Sequence, residues 1–201
     1  GPGHPRTARL EGTLGRSLAA GGDLAGAREH LQRSLDVRAA ALGPEHDEVA
    51  SARYNLAMVM RRQGDHAAAI EQLRRGLRTR ERSRGPDDAG HAEWLMRIGI
   101  SELARGRSHQ ARAPLHRALE LSERWGADRD RFSNIRVALA RAYADEDPAK
   151  ARVFAELARR AWADVPHERV QVDALLAELA KAEARASAPE VTPPAEPGPD
   201  R

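Results

Sequence analysis

The sequence predicts an all-α solenoid in which four helix pairs stack in a row and one further helix closes the end. Three observations carry this expectation. Ala, Leu, Arg and Glu dominate while aromatic residues make up only 3% of the chain, a balance that favours helix over strand. Gly-Pro dipeptides recur at Gly1-Pro2, Gly43-Pro44 and Gly85-Pro86, a spacing of 42 residues, and fixed periods of that size mark stacked supersecondary units. Within each period apolar residues return at i, i+4 and i+8, the stripe of an amphipathic helix with a period of 3.6.

The first unit, residues 1–42, has a first helix around Leu14-Gly15, a turn at Gly21-Gly22-Asp23 and a second helix with Ala27, Leu31 and Leu35 on its inner face. The second unit, 43–84, repeats this as Leu56-Ala57, then Gln63-Gly64-Asp65, then Ala69, Leu73 and Leu77. The third, 85–125, reads Ile98-Gly99, Arg105-Gly106-Arg107, then Ala111, Leu115 and Leu119. A small residue after each large one lets two helices cross closely, and the glycine of each turn stops a helix in the left-handed region.

The fourth unit, 126–165, opens at Gly126 and keeps Leu139-Ala140 and Tyr143, but Asp145-Glu146-Asp147 replaces the glycine turn. Pro148 starts its second helix, a place where proline is tolerated, and Phe154, Leu157 and Ala161 are expected to form its apolar face. Residues 166–186 form a single amphipathic helix with Val172, Leu175, Leu176 and Leu179 on one side, which suits a capping element over the last pair. The five prolines between Pro189 and Pro199 are expected to make 187–201 a disordered tail. Trp94, Trp125 and Trp162 are expected to be buried near helix ends.

Composition also excludes functions. There is no cysteine, hence no disulfide framework, thiolate nucleophile or zinc-thiolate site. No apolar run approaches the roughly 20 residues that span a bilayer, and the start lacks the charged-then-apolar pattern of a signal peptide, so a soluble, cytoplasmic location is expected. The Arg-rich, Lys-poor make-up suggests a GC-rich bacterial genome. Net charge is only +3, and the basic residues come in short pairs of the kind that solvate helix faces.

The stretch Leu42-Gly-Pro-Glu-His-Asp-Glu-Val-Ala50, then Tyr54-Asn55-Leu56-Ala57, Gln63-Gly64-Asp65 and Ala68 to Leu77, resembles the tetratricopeptide repeat. More narrowly it is similar to the 42-residue variety of kinesin light chains and many bacterial regulatory proteins, and Ala113-Pro114-Leu115 in the third unit adds to that likeness. The resemblance covers about residues 1 to 165 and implies a right-handed solenoid whose first helices line a concave groove for a peptide. Carried onto this sequence, the groove positions are Arg9, Arg16, Tyr54, Asn55, Met58, Arg61, Met96, Arg97, Ile100, Asn134 and Arg141, with Thr13 and Val137 beside them. That surface is basic with an apolar middle. Arginine suits bidentate contact with carboxylates and Met adapts to irregular apolar shapes, so the expected partner is a protein or peptide segment, acidic with one or two apolar anchors. Asn55 matches the family's peptide-clamping asparagine but has no counterpart at that place in the other units, so a full carboxylate clamp is not indicated. Gly12 stands where Tyr54 does, and Glu102 stands where Leu18 and Met60 do.

An interaction scaffold is therefore the expected function. No nucleophile motif, glycine-rich phosphate loop or His-Glu-x-x-His spacing is present, so neither enzyme activity nor a cofactor nor a metal is expected, and the histidines are read as structural or solvent-facing. A second reading makes the chain a docking segment of a larger bacterial signalling protein such as a serine/threonine kinase; the match of Gly1-Pro2-Gly3-His4-Pro5 to the inter-unit junction favours a start inside a longer array over a cleavage scar. RNA binding is the third. It is disfavoured because Thr13, Asn55, Arg97 and Ala138 show no limited code across the units and the charge is weak.

Overall fold

In the computed structural model, which describes residues 5–126 and 129–186, nine helices and no strand occur among the described residues. They are α1 (Pro5–Ala20), α2 (Leu24–Leu42), α3 (Asp47–Arg62), α4 (His66–Arg84), α5 (His91–Ala104), α6 (Ser108–Trp125), α7 (Arg129–Tyr143), α8 (Pro148–Ala161) and α9 (Pro166–Ala186). Each odd-numbered helix up to α7 packs most extensively on the helix that follows it, and successive pairs join through α2 with α3, α4 with α5 and α6 with α7, while α9 lies on α8. The result is an all-α solenoid closed by a single helix. The Gly1-Pro2 junction and the proline-rich 187–201 segment lie outside the described residues. No described helix is long and apolar enough to cross a membrane.

Local chemistry sets these boundaries. Asp23, Asp65 and Asp147 each accept a hydrogen bond from a backbone N–H three residues on, capping α2, α4 and α8. His46 does the same for α3 through Nδ1 and the Glu48 N–H at 3.1 Å. Between the helices of the second pair, Gly64 turns the chain at φ 82°, a conformation that costs other residues dearly.

The small residues sit where two helices cross. A Cβ on Gly15 would lie 2.7 Å from Leu31 Cγ, and one on Gly99 would overlap Leu115. Ala27, Ala69 and Ala111 are fully buried at the opposite side of the same crossings. Enlarging Ala69 to Leu is therefore expected to cost roughly 1–3 kcal/mol by overpacking, whereas Ala68→Leu, at a half-buried site, should cost less. Equal melting temperatures for the two variants would contradict this placement.

Four expectations need correction. Leu14 is 45% exposed while its counterpart Leu56 is fully buried, because among the described residues no helix pair lies on the outer side of α1. In α8 the inner face is Ala151, Ala155 and Ala158, not Phe154, Leu157 and Ala161; Ala151 and Ala155 keep the places of Ala27 and Leu31, with alanine in place of the leucine. Leu157 is left 37% exposed, and Phe154 turns to stack on Tyr143 with ring centroids 6.1 Å apart. Trp125 is 58% exposed, its indole N–H donating to the Asp87 carbonyl at 2.7 Å, whereas Trp94 and Trp162 are buried. Met96 is buried rather than open to the groove.

Candidate peptide groove

α1 comes close to α3 and α5 to α7, whereas no two second helices come as near each other. Side-by-side elements whose spacing is shorter along one edge must curve toward that edge, so the first helices line the inner side. Along it the groove positions gather in three places.

Arg16, Asn55 and Met58 share a recess of about 320 Å³ between α1 and α3, floored by Leu31 and Val59. Ile100, Asn134, Val137 and Arg141 share a second of about 370 Å³ between α5 and α7, with Leu103 and Ser108. Between the two lie Tyr54, Arg61 and Arg97. Here a residue that the sequence reading passed over decides the charge: Glu93 accepts from the Tyr54 hydroxyl at 3.1 Å and from Arg97 Nε at 2.6 Å. The Glu93 and Arg97 pair has the i, i+4 spacing of a helical ion pair, and that signal was available.

Arg97 and Arg61 consequently differ. Burial works against the charge of Arg97, but Glu93 outweighs it and holds the guanidinium above its usual range. For Arg61, burial first and the neighbouring Arg97 charge second push the value down. Its Nε is buried without a partner, and its terminal nitrogen reaches only Met58 Sδ at 3.7 Å. Arg61 is thus a half-buried cation facing another cation. Burial also raises the Tyr54 hydroxyl, helped by the Glu93 charge.

Met96 is not a groove residue. It is 4% exposed and packs with Ala111, Leu115, Ile135 and Leu139 between the third and fourth pairs. Tyr54 holds the same place in the second unit, yet its longer ring leans across Trp94, centroids 4.9 Å apart, and brings its hydroxyl out to Glu93. Arg9 is exposed on α1 but lines neither recess. Asn134 spends its amide on the Asp130 carbonyl at 3.0 Å, within its own helix, and Arg16 donates to Thr13 Oγ1 at 3.3 Å.

The described residues contain no group of three or more His, Cys, Asp or Glu that could hold a metal ion. Several histidines have structural partners: His30 bonds Glu11 at 2.6 Å, His46 caps α3, and His116 bonds the Tyr143 hydroxyl at 2.9 Å. Burial, then Lys150 and Arg112, hold His116 below the ordinary histidine value.

A family model described as tetratricopeptide repeat matches residues 6–82. That stretch carries tetratricopeptide repeats. Among solved structures, the tetratricopeptide fold found here is similar to the nearly identical TPR-like repeats assigned to a kinesin light chain of Podosopora anserina, at 19% identity and TM-score 0.74, covering 90% of this chain and 89% of that one. A single-substitution form of those repeats gives TM-score 0.76 at 18% identity over the same shares. BtubC (BKLC) from P. vanneervenii gives 0.74 at 23% identity, covering 81% of this chain and 66% of that one. No curated protein matches the sequence. At these identities the solved structures speak to the fold alone, and they extend that likeness past residue 82 over most of the chain.

Proposed function

We propose that the array is a protein-interaction scaffold whose inner groove takes an extended peptide with two apolar residues flanked by acidic ones. One observation carries this reading. Two positions after the large crossing residue of each first helix, the sequence reads Arg16, Met58, Ile100, Arg141, and all four side chains reach the two recesses. The column is cation, apolar, apolar, cation. Three steps between neighbouring helices of about 8–10 Å each span roughly 24–30 Å, the reach of about seven to nine extended residues at about 3.3 Å per residue. Asn55, whose amide has no partner among the described residues, can pair with the backbone of such a peptide through both donor and acceptor. Arg61 supplies a third cation, already desolvated, so a carboxylate brought to it meets less competing water than at the rim.

The test is fluorescence anisotropy with labelled nine-residue peptides of acid–apolar–apolar–acid pattern and their scrambled forms. Arg16 and Arg141 are exposed, so Arg16→Glu with Arg141→Glu should leave the circular dichroism unchanged while weakening the patterned peptide by about tenfold or more through lost attraction and added repulsion. A folded double variant that binds patterned and scrambled peptides as the parent does would remove the groove from consideration.

A further inference from the structure

A second cationic site lies outside the groove, between α3 and α4. A cavity of about 240 Å³, several times the roughly 30 Å³ of a water molecule, is lined by Arg53, Arg75, Arg78, Thr79, Glu45 and Pro44. Both carboxylates nearby are already engaged. Glu45 accepts from Arg82 at 2.6 Å and from the Thr79 hydroxyl at 3.3 Å, and Glu71 pairs with Arg75 at 2.6 Å. Arg53 donates to the neutral Gln72 amide oxygen at 3.3 Å and keeps its Nε buried without a partner. Arg78 has no carboxylate partner among the described residues. Two guanidinium charges are therefore left facing one small polar cavity, with a third beside them. Burial is the largest influence lowering Arg53, followed by the Arg75 charge; Glu45 opposes and Arg78 adds.

The repeat supplies an internal comparison. At the place of Arg53 the first unit has Glu11 and the third has Leu95; at the place of Arg78 they have Asp36 and Glu120. In the first unit Glu11 bonds His30, and in the third Arg117 pairs with both Glu120 and Asp87. The first and third units therefore pack without this cluster, whereas the fourth again has arginine at both places, Arg136 and Arg160, with Arg136 lying over the Phe132 ring. Leaving like charges together costs free energy unless an anion joins them.

We infer that the cavity between α3 and α4 binds a tetrahedral oxyanion of the phosphate class, with Arg53 and Arg78 as its principal donors and Arg75 beside them. Guanidinium forks match such oxygens bidentately, and the polar lining leaves little for an apolar ligand. The anion comes either free or carried on a phosphorylated side chain of a partner.

Isothermal titration of the 201-residue chain with sodium phosphate, a phosphoserine peptide and its unphosphorylated form separates these cases. Saturable phosphate binding is expected, weakened about tenfold or more in Arg53→Leu with Arg78→Glu, which installs the residue types of the third unit, since each charged donor lost is worth about tenfold. Arg33→Glu, on the first unit, serves as a charge control and should bind as the parent does. If the leucine variant fails to fold, Arg53→Gln with Arg78→Gln replaces it under the same expectation. Equal affinity for free phosphate and the phosphopeptide assigns the site to the anion itself. Tighter phosphopeptide binding, lost in the same variants, assigns it to a modified partner. No saturable binding by either, or an equal loss in Arg33→Glu, overturns the site.

Discussion

Trp94→Ala is expected to destabilise the array by about 3–5 kcal/mol, the range for removing a large buried aromatic side chain. Trp94 is the wedge between the second and third pairs. Its ring lies directly on the Gly76 backbone of α4, where any Cβ would overlap it. Tyr54 packs against it at 4.9 Å, and the Arg80 guanidinium stands 5.8 Å from its centre. At the same place the first two pairs meet through Ala52, a far smaller residue, opposite Ser34 on α2. Gly76→Ala alone should also cost stability by overpacking, but combined with Trp94→Ala it should cost little more than Trp94→Ala by itself, because the two positions are coupled. Urea denaturation followed by far-ultraviolet circular dichroism reads all three variants. Additive losses, or a Trp94→Ala midpoint equal to that of the parent, would contradict the wedge.

The second large effect concerns Glu102. Its side chain is 3% exposed and occupies the place of Leu18 and Met60. Arg74 of α4 donates to it at 2.9 Å, and Arg105 lies 3.5 Å away one turn on in sequence. A carboxylate in that setting depends on its cations. Arg74→Ala together with Arg105→Ala should lose about 3–5 kcal/mol, because the charge stays buried with nothing to offset it. Glu102→Met, the residue type of the second unit, should be neutral or stabilising, since a packed apolar group carries no desolvation cost. A double arginine variant that unfolds at the parental urea concentration would show that water already serves the carboxylate.

The turns and inner stripes were legible because they are local. A glycine at positive φ, an aspartate three residues before a free N–H, and a leucine every fourth residue are written into neighbouring positions, so Gly64, Asp65, Leu73 and Leu77 could be placed without knowing what lies across from them. The groove was legible in part. A first helix has one face toward its own partner, one toward the preceding pair, one toward the next and a narrow strip toward the groove, so a step of one position changes the neighbour. Met96 was read as lying on the strip and lies instead against Ile135 and Leu139. Tyr54, at the same place, reaches the strip only because its ring is long and rests on Trp94. Side-chain length, not repeat position, separates the two. Glu93 was missed for a related reason: reading a column of arginines for positive charge omitted the carboxylate one turn away. In the fourth unit the stripe was sought among the largest apolar residues, Phe154 and Leu157, and lies instead on Ala151, Ala155 and Ala158.

The buried side chains form three clusters, one running from α2 through α5, one centred on α5 to α7 and one from α7 to α9. Among the described residues Leu95 alone borders both the first and second, and Tyr143 and Phe154 border both the second and third. The first two clusters therefore share one helix: α5 gives Trp94 and Ile98 to one and Met96 to the other. Any change of pitch between the recess at Arg16 and the recess at Arg141 has to turn that shaft against both cores at once.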